Sequence, residues 1–97
     1  MKLSIRTRSI ETTGSLRELI SKRLHFALDA FGDRVRNASV HLADINGPRG
    51  GIDKTCQITA TVQGVGDVQV RDQGASSEAA VTRAARRLKH LIGNAVR

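Results

Sequence analysis

The sequence predicts an α+β fold, a two-layer sandwich of order β-α-β-β-β-α in which a four-stranded sheet carries two helices on one face. Three features of the pattern carry this expectation. Four segments alternate apolar and polar residues at period two, two segments repeat apolar residues at three- and four-residue steps, and each strand has a single apolar face. Helices that cover one side of such a sheet leave the other side polar and wet.

The first segment, "KLSIRTR" (residues 2–8), sets Leu3, Ile5 and Thr7 against Lys2, Ser4, Arg6 and Arg8. In "SLRELISKRLHFALDAFG" (15–32) the period becomes helical. Leu16, Ile20, Leu24, Ala27, Leu28 and Phe31 form an apolar stripe opposite Glu18, Lys22, His25 and Asp29. Ser15 and Glu18 fit a capping box, and Gly32 fits the left-handed residue that ends a helix.

Period two returns from Val35. In "NASVHLAD" (37–44), Val40 and Leu42 oppose Ser39, His41 and Ala43. In "TCQITATVQ" (55–63), Cys56, Ile58, Ala60 and Val62 point inward. A turn at Gly64–Gly66 leads to "DVQVRD" (67–72), where Val68 and Val70 oppose Gln69 and Arg71. The tail from Ser76 is helical again, capped by Ser76 or Ser77, with Val81, Ala84, Ala85, Leu88, Ile92 and Ala95 inward. Gly93 weakens its last turn by roughly 1 kcal/mol relative to alanine. Strands two to four follow one another closely enough for an antiparallel meander. Strand one joins an edge, and the sequence leaves its direction open.

Ninety-seven residues without repeats or linkers read as one domain, residues 1–97. Tryptophan and tyrosine are absent and Phe26 and Phe31 are the only aromatics, so Leu, Ile, Val and Ala must build the core. Sixteen Lys+Arg against nine Asp+Glu give a net charge of +7, which points to a polyanionic partner. One cysteine excludes an intrachain disulfide and a multi-cysteine zinc site. No apolar run approaches the roughly 20 residues that span a bilayer. Arg6 and Arg8 interrupt the N-terminus where a signal peptide needs an apolar stretch. The expected compartment is cytoplasmic, with no membrane partner.

"DINGPRGGIDKTC" (44–56) has the look of a phosphate-cradling loop. A Walker-type loop, however, needs glycine where Asp53 stands and a helix where a strand follows. Cys56 and His41 could suggest a nucleophile and its base, but alternation puts them on opposite faces of the sheet, and a small buried thiol is the simpler reading. His25, His41 and His90 lack metal-ligand spacing, and no carboxylates are paired for acid–base work. The expectation is a non-enzyme without metal, cofactor or small-molecule substrate.

Charge placement is more informative. On the last helix Arg83, Arg86, Arg87 and His90 recur at helical steps, Lys89 extends them, and Glu78 is the only acid after residue 72. Arg6, Arg8 and Arg71, with His41, Gln57 and Thr59, fall on the open face of the sheet, and Lys22 lies on the polar side of the first helix. With so few aromatics, stacking in the manner of an RNA-recognition motif is not expected. Contacts would go to phosphate and ribose, reading shape. In the 44–56 stretch, Arg49 sits near the tip of a connection longer than a hairpin needs, either an ordinary loop or an Arg-bearing finger.

These features together resemble the ribosome hibernation-promoting factor and ribosome-associated inhibitor family (sigma-54 modulation protein-like), in its short form. "TTGSLRELISKRL" is similar to the family's Thr-x-x-Leu-Arg opening of helix one, with Leu16-Arg17 at the Leu-Arg positions. "ASSEAAVTRAARRLKHLI" is similar to its last helix, with Ala79-Ala80-Val81 and Arg87-Leu88 at the matching steps. Two features depart from it: Glu78 stands where relatives often have Tyr, and "GNAVR" replaces a Lys-rich end. The resemblance implies a fold related to double-stranded-RNA-binding domains. It also implies a translation inhibitor bound to the small ribosomal subunit in the channel of messenger and transfer RNA, through Arg83, Arg86, Arg87 and Lys89. A shape-reading binder of double-stranded RNA off the ribosome is the alternative.

Overall fold

The computed structural model of the protein describes residues 1–45 and 53–96. Its elements follow the expected order: β1 (Lys2–Arg8), α1 (Gly14–Leu28), a 3-10 segment (Asp29–Arg34), β2 (Val35–Asp44), β3 (Lys54–Val62), β4 (Gly66–Gly74) and α2 (Ser77–Ala95). The strands form one sheet in the order β1-β2-β3-β4. β2, β3 and β4 are antiparallel neighbours, with Leu42 opposite Cys56 and Ile58 opposite Val70. Gly64 and Gly66 take φ of 83° and 98° in the β3–β4 turn, where a side chain would be strained.

The direction of β1 is settled by its connection. β1 runs parallel to β2, with Ile5 opposite Val40 and Arg6 opposite His41. Parallel neighbours need a long crossover, and α1 with the 3-10 segment supplies it. α2 lies across β3 and β4, and α1 packs beside α2. Ile20, Leu24, Val40, Leu42, Cys56, Ile58, Val62, Val81, Leu88 and Ile92 are almost wholly enclosed in one core. Truncating one of its large aliphatic side chains to alanine costs about 2–5 kcal/mol.

Local details differ from the sequence pattern in three places. The cap of α1 is Thr13, whose extended backbone lets Oγ1 accept from the Leu16 N–H at 3.1 Å, and not Ser15. Glu18 therefore sits too deep in the helix for a capping box and pairs with Lys22 at 3.3 Å. The α-helix also stops earlier than Gly32. It tightens to 3-10 geometry from Asp29, and Gly32, at φ 54° and ψ −133°, turns the chain into β2 outside the usual left-handed helical region. Ala95 is exposed in the last turn of α2, where Ile92 is the final fully buried residue.

Candidate nucleic-acid interface

Ser76 caps α2, its Oγ accepting from the Ala79 N–H at 3.1 Å. From there Ala80, Val81, Ala84, Ala85, Leu88 and Ile92 point into the core. Helical geometry then sends Arg83, Arg86, Arg87, Lys89 and His90 outward, and all five are exposed. They do not form a single cluster. Arg83 and Arg87 lean over β4 towards Asp72, at 3.4 and 3.9 Å. Arg86 and Lys89 turn the other way, into a groove against α1 lined also by Arg23, Phe26, Ala27 and Ala85. Arg23 in turn reaches Glu78 at 3.0 Å. Among the described residues, neither Arg86 nor Lys89 is paired with an acid.

The open sheet face carries a second group. Strand registers place Arg6, His41, Gln57 and Arg71 in one rung across all four strands. Arg8, Ala43, Thr55 and Gln73 form the next rung, and Ser4, Ser39, Thr59 and Gln69 the one on the other side. Asp67, in the rung with Lys2, Asn37 and Thr61, is the only acid in these four rows, and it accepts from Thr61 Oγ1 at 2.8 Å. Shallow hollows flank the central rung and share His41 and Gln57. Apart from Ala43 and the exposed Ile45 at the edge of one hollow, this surface offers cations, amides and hydroxyls and no aromatic ring, which suits phosphate and ribose more than bases.

The remaining candidates are not brought into these groups. Lys22 projects from α1 beside Glu18, and the α1–α2 groove does not include it. Arg49 lies outside the described residues. At the base of its connection the Ile45 N–H donates to the Asp53 carbonyl at 2.8 Å. Lys54 Nζ contacts Asp53 Oδ1 at 2.8 Å and Asp44 Oδ2 at 3.3 Å. Asp53 is buried in this cluster, a carboxylate where a phosphate loop would need glycine.

Cys56 and His41 face opposite sides of the sheet. Cys56 has no exposure, and burial, followed by the negative charge of Asp72, pushes its thiol up to about 12, so no thiolate forms near neutral pH. Among the described residues no three His, Cys, Asp or Glu side chains gather to hold a metal ion, and no helix is long and apolar enough to cross a membrane.

Pattern reading missed Phe26. Its side chain is 81% exposed at the mouth of the α1–α2 groove. The signal was present, because Phe26 stands two residues from Leu24, about half a helical turn off the apolar stripe.

Residues 3–94 match the family model described as sigma 54 modulation protein / S30EA ribosomal protein. Among solved structures, the N-terminal domain of Protein Y from Thermus thermophilus aligns with a TM-score of 0.81 at 25% identity, covering 97% of this chain and 98% of that one. A ribosomal subunit interface protein from Coxiella burnetii shares the fold, with a TM-score of 0.79 at 15% identity and coverage of 97% and 96%. No curated protein matches the chain.

Proposed function

The chain belongs to the sigma 54 modulation protein / S30EA ribosomal protein family, and on that premise we propose that it is a ribosome-associated hibernation factor acting in the cytoplasm. In this reading residues 1–97 form a single ribosome-binding domain. It occupies the channel of messenger and transfer RNA on the small subunit and inhibits translation without catalysing a reaction. The supporting observation is the outer side of α2, where Arg83, Arg86, Arg87, Lys89 and His90 are all exposed on a rigid helix. Arg6, Arg8 and Arg71 on the open sheet face, with Arg49 and with Lys22 on α1, are the further proposed contacts.

A helix that presents five basic side chains from a packed scaffold fits phosphate rows held at fixed spacing. The wet, aromatic-free sheet face fits shape reading better than sequence reading. Sedimentation of stationary-phase extract through a sucrose gradient tests the proposal. The protein is expected with small subunits and whole ribosomes, and its release should rise steeply with salt as condensed counterions return to the RNA. Migration away from ribosomes, together with tight binding to an unrelated RNA duplex, would favour action on free double-stranded RNA instead.

A further inference from the structure

An exposed phenylalanine means little by itself. The surroundings of Phe26 give it meaning. The groove beside its ring is lined by Ala27, Thr82 and Ala85 together with Arg23, Arg86 and Lys89. Glu78 is held by Arg23 at 3.0 Å, and among the described residues Arg86 and Lys89 have no acidic partner. The same groove holds ≈ 210 Å³, less than an enclosed small-molecule site. A flat aromatic face bordered by free cations is complementary to a ring carried on a negatively charged backbone.

We propose that the α1–α2 groove is a single-stranded RNA subsite, in which one unpaired nucleobase stacks on Phe26 while Arg86 and Lys89 hold its flanking phosphates. This rests on the RNA-binding reading above and adds a base contact to it. An apolar peptide anchor fits less well, because Arg23, Arg86 and Lys89 surround the groove with positive charge that such an anchor leaves unmatched. Duplex RNA fits less well too, because its bases are stacked on one another and do not reach a ring standing on a helix.

The test uses the full chain with Phe26→Ala, Phe26→Leu and Phe26→Trp variants, titrated with a short oligoadenylate, a blunt RNA duplex, heparin and polyglutamate. Phe26→Ala and Phe26→Leu should each weaken oligoadenylate binding about tenfold, the loss of one stacked base, and leave duplex and heparin binding unchanged. The exposed ring supports little of the core, so their melting temperatures should match wild type. The chain has no tryptophan or tyrosine, so in Phe26→Trp the indole signal reports this position alone. Oligoadenylate should quench it, and heparin should not. Oligoadenylate affinity unchanged in Phe26→Ala, or fully kept in Phe26→Leu, would overturn base stacking. Phe26-dependent binding of polyglutamate would assign the groove to an acidic protein instead. If wild type still co-sediments with ribosomes in those cases, only the subsite fails. If wild type binds neither ribosomes nor any RNA, the RNA-binding reading fails with it.

Discussion

Arg83 Nε lies 3.4 Å from Asp72 Oδ1, joining the outer side of α2 to the edge strand β4. Arg87 approaches the other carboxylate oxygen at 3.9 Å, and Asp72 is only 18% exposed beneath them. Two of the five basic residues of α2 thus already have an acidic partner in the fold, whereas among the described residues Arg86 and Lys89 do not. Exposed ion pairs of this kind contribute little, about 0–1 kcal/mol, but they orient the side chains and set what a charge reversal does.

Reversing Arg83 and Arg87 to Glu would set three carboxylates together over β4, so this variant should melt at a lower temperature than wild type. Replacing the same two by Gln should keep the fold and weaken ribosome binding. Arg86→Ala with Lys89→Ala should leave the melting temperature unchanged and make the log–log salt dependence of binding shallower by roughly two. Thermal melts and ribosome binding across a salt series check these outcomes together. An unchanged slope in the Arg86/Lys89 variant would remove both residues from the RNA contact.

Cys56 should resist thiol reagents for as long as the protein is folded, since its thiol is enclosed and its pKa is pushed up to about 12. Cys56→Ala should cost about 1 kcal/mol through lost packing and leave ribosome binding intact. Labelling rates in increasing urea are the measurement, and they should track global unfolding. Fast labelling of the native protein with loss of binding would contradict this placement.

Lys54 makes an alkaline prediction. The hydrogen bond to Asp53 raises its pKa above the ordinary 10.5, opposed by burial and aided by Asp44. A raised folded-state pKa means that the contribution is fully present below pH 10.5 and is lost as pH rises through the folded value. Lys54→Met removes the cation next to buried Asp53 and should be less stable at neutral pH. The gap between the two melting temperatures should narrow above pH 10.5, where wild type loses the same ion pair. Both proteins lose stability above pH 9.0, because Cys56 then ionises only in the unfolded chain, and the comparison cancels that loss. A gap independent of pH would show that the ammonium charge is not what matters.

Gly74 should not tolerate alanine. A Cβ there would stand 2.8 Å from the Ala80 nitrogen and 2.9 Å from the Ala79 Cβ, where the end of β4 meets the first turn of α2. One of those atoms is helix backbone, which cannot move without disturbing the Ser76 cap. Gly74→Ala should destabilise by about 1–3 kcal/mol, measured by urea denaturation, while Gly14→Ala, with open space around it, should not.

The division between pattern and packing follows from the range of the forces involved. Alternation in "TCQITATV" and the three- and four-residue steps in "AAVTRAARRL" depend only on which side of a strand or helix a residue falls, so the inward Cys56, the outward Arg83 and the element order were legible in the chain. The cap of α1 was legible only in part. Thr13 and Ser15 both carry a capping hydroxyl, and the backbone path out of β1 chose between them. Direction and juxtaposition were not local at all. The parallel pairing of β1 follows from where α1 returns the chain. The Arg6–His41–Gln57–Arg71 rung exists because three separate registers coincide. Likewise, the side-by-side packing of α1 and α2 brought Phe26 next to Arg86 and Lys89, sixty residues away in sequence. Composition and periodicity determined that this protein is a basic two-layer sandwich with a buried, inert thiol. Only tertiary packing decided which cations were taken up by the fold's own carboxylates and which were left facing outward, because that depends on distances between elements that no single element encodes.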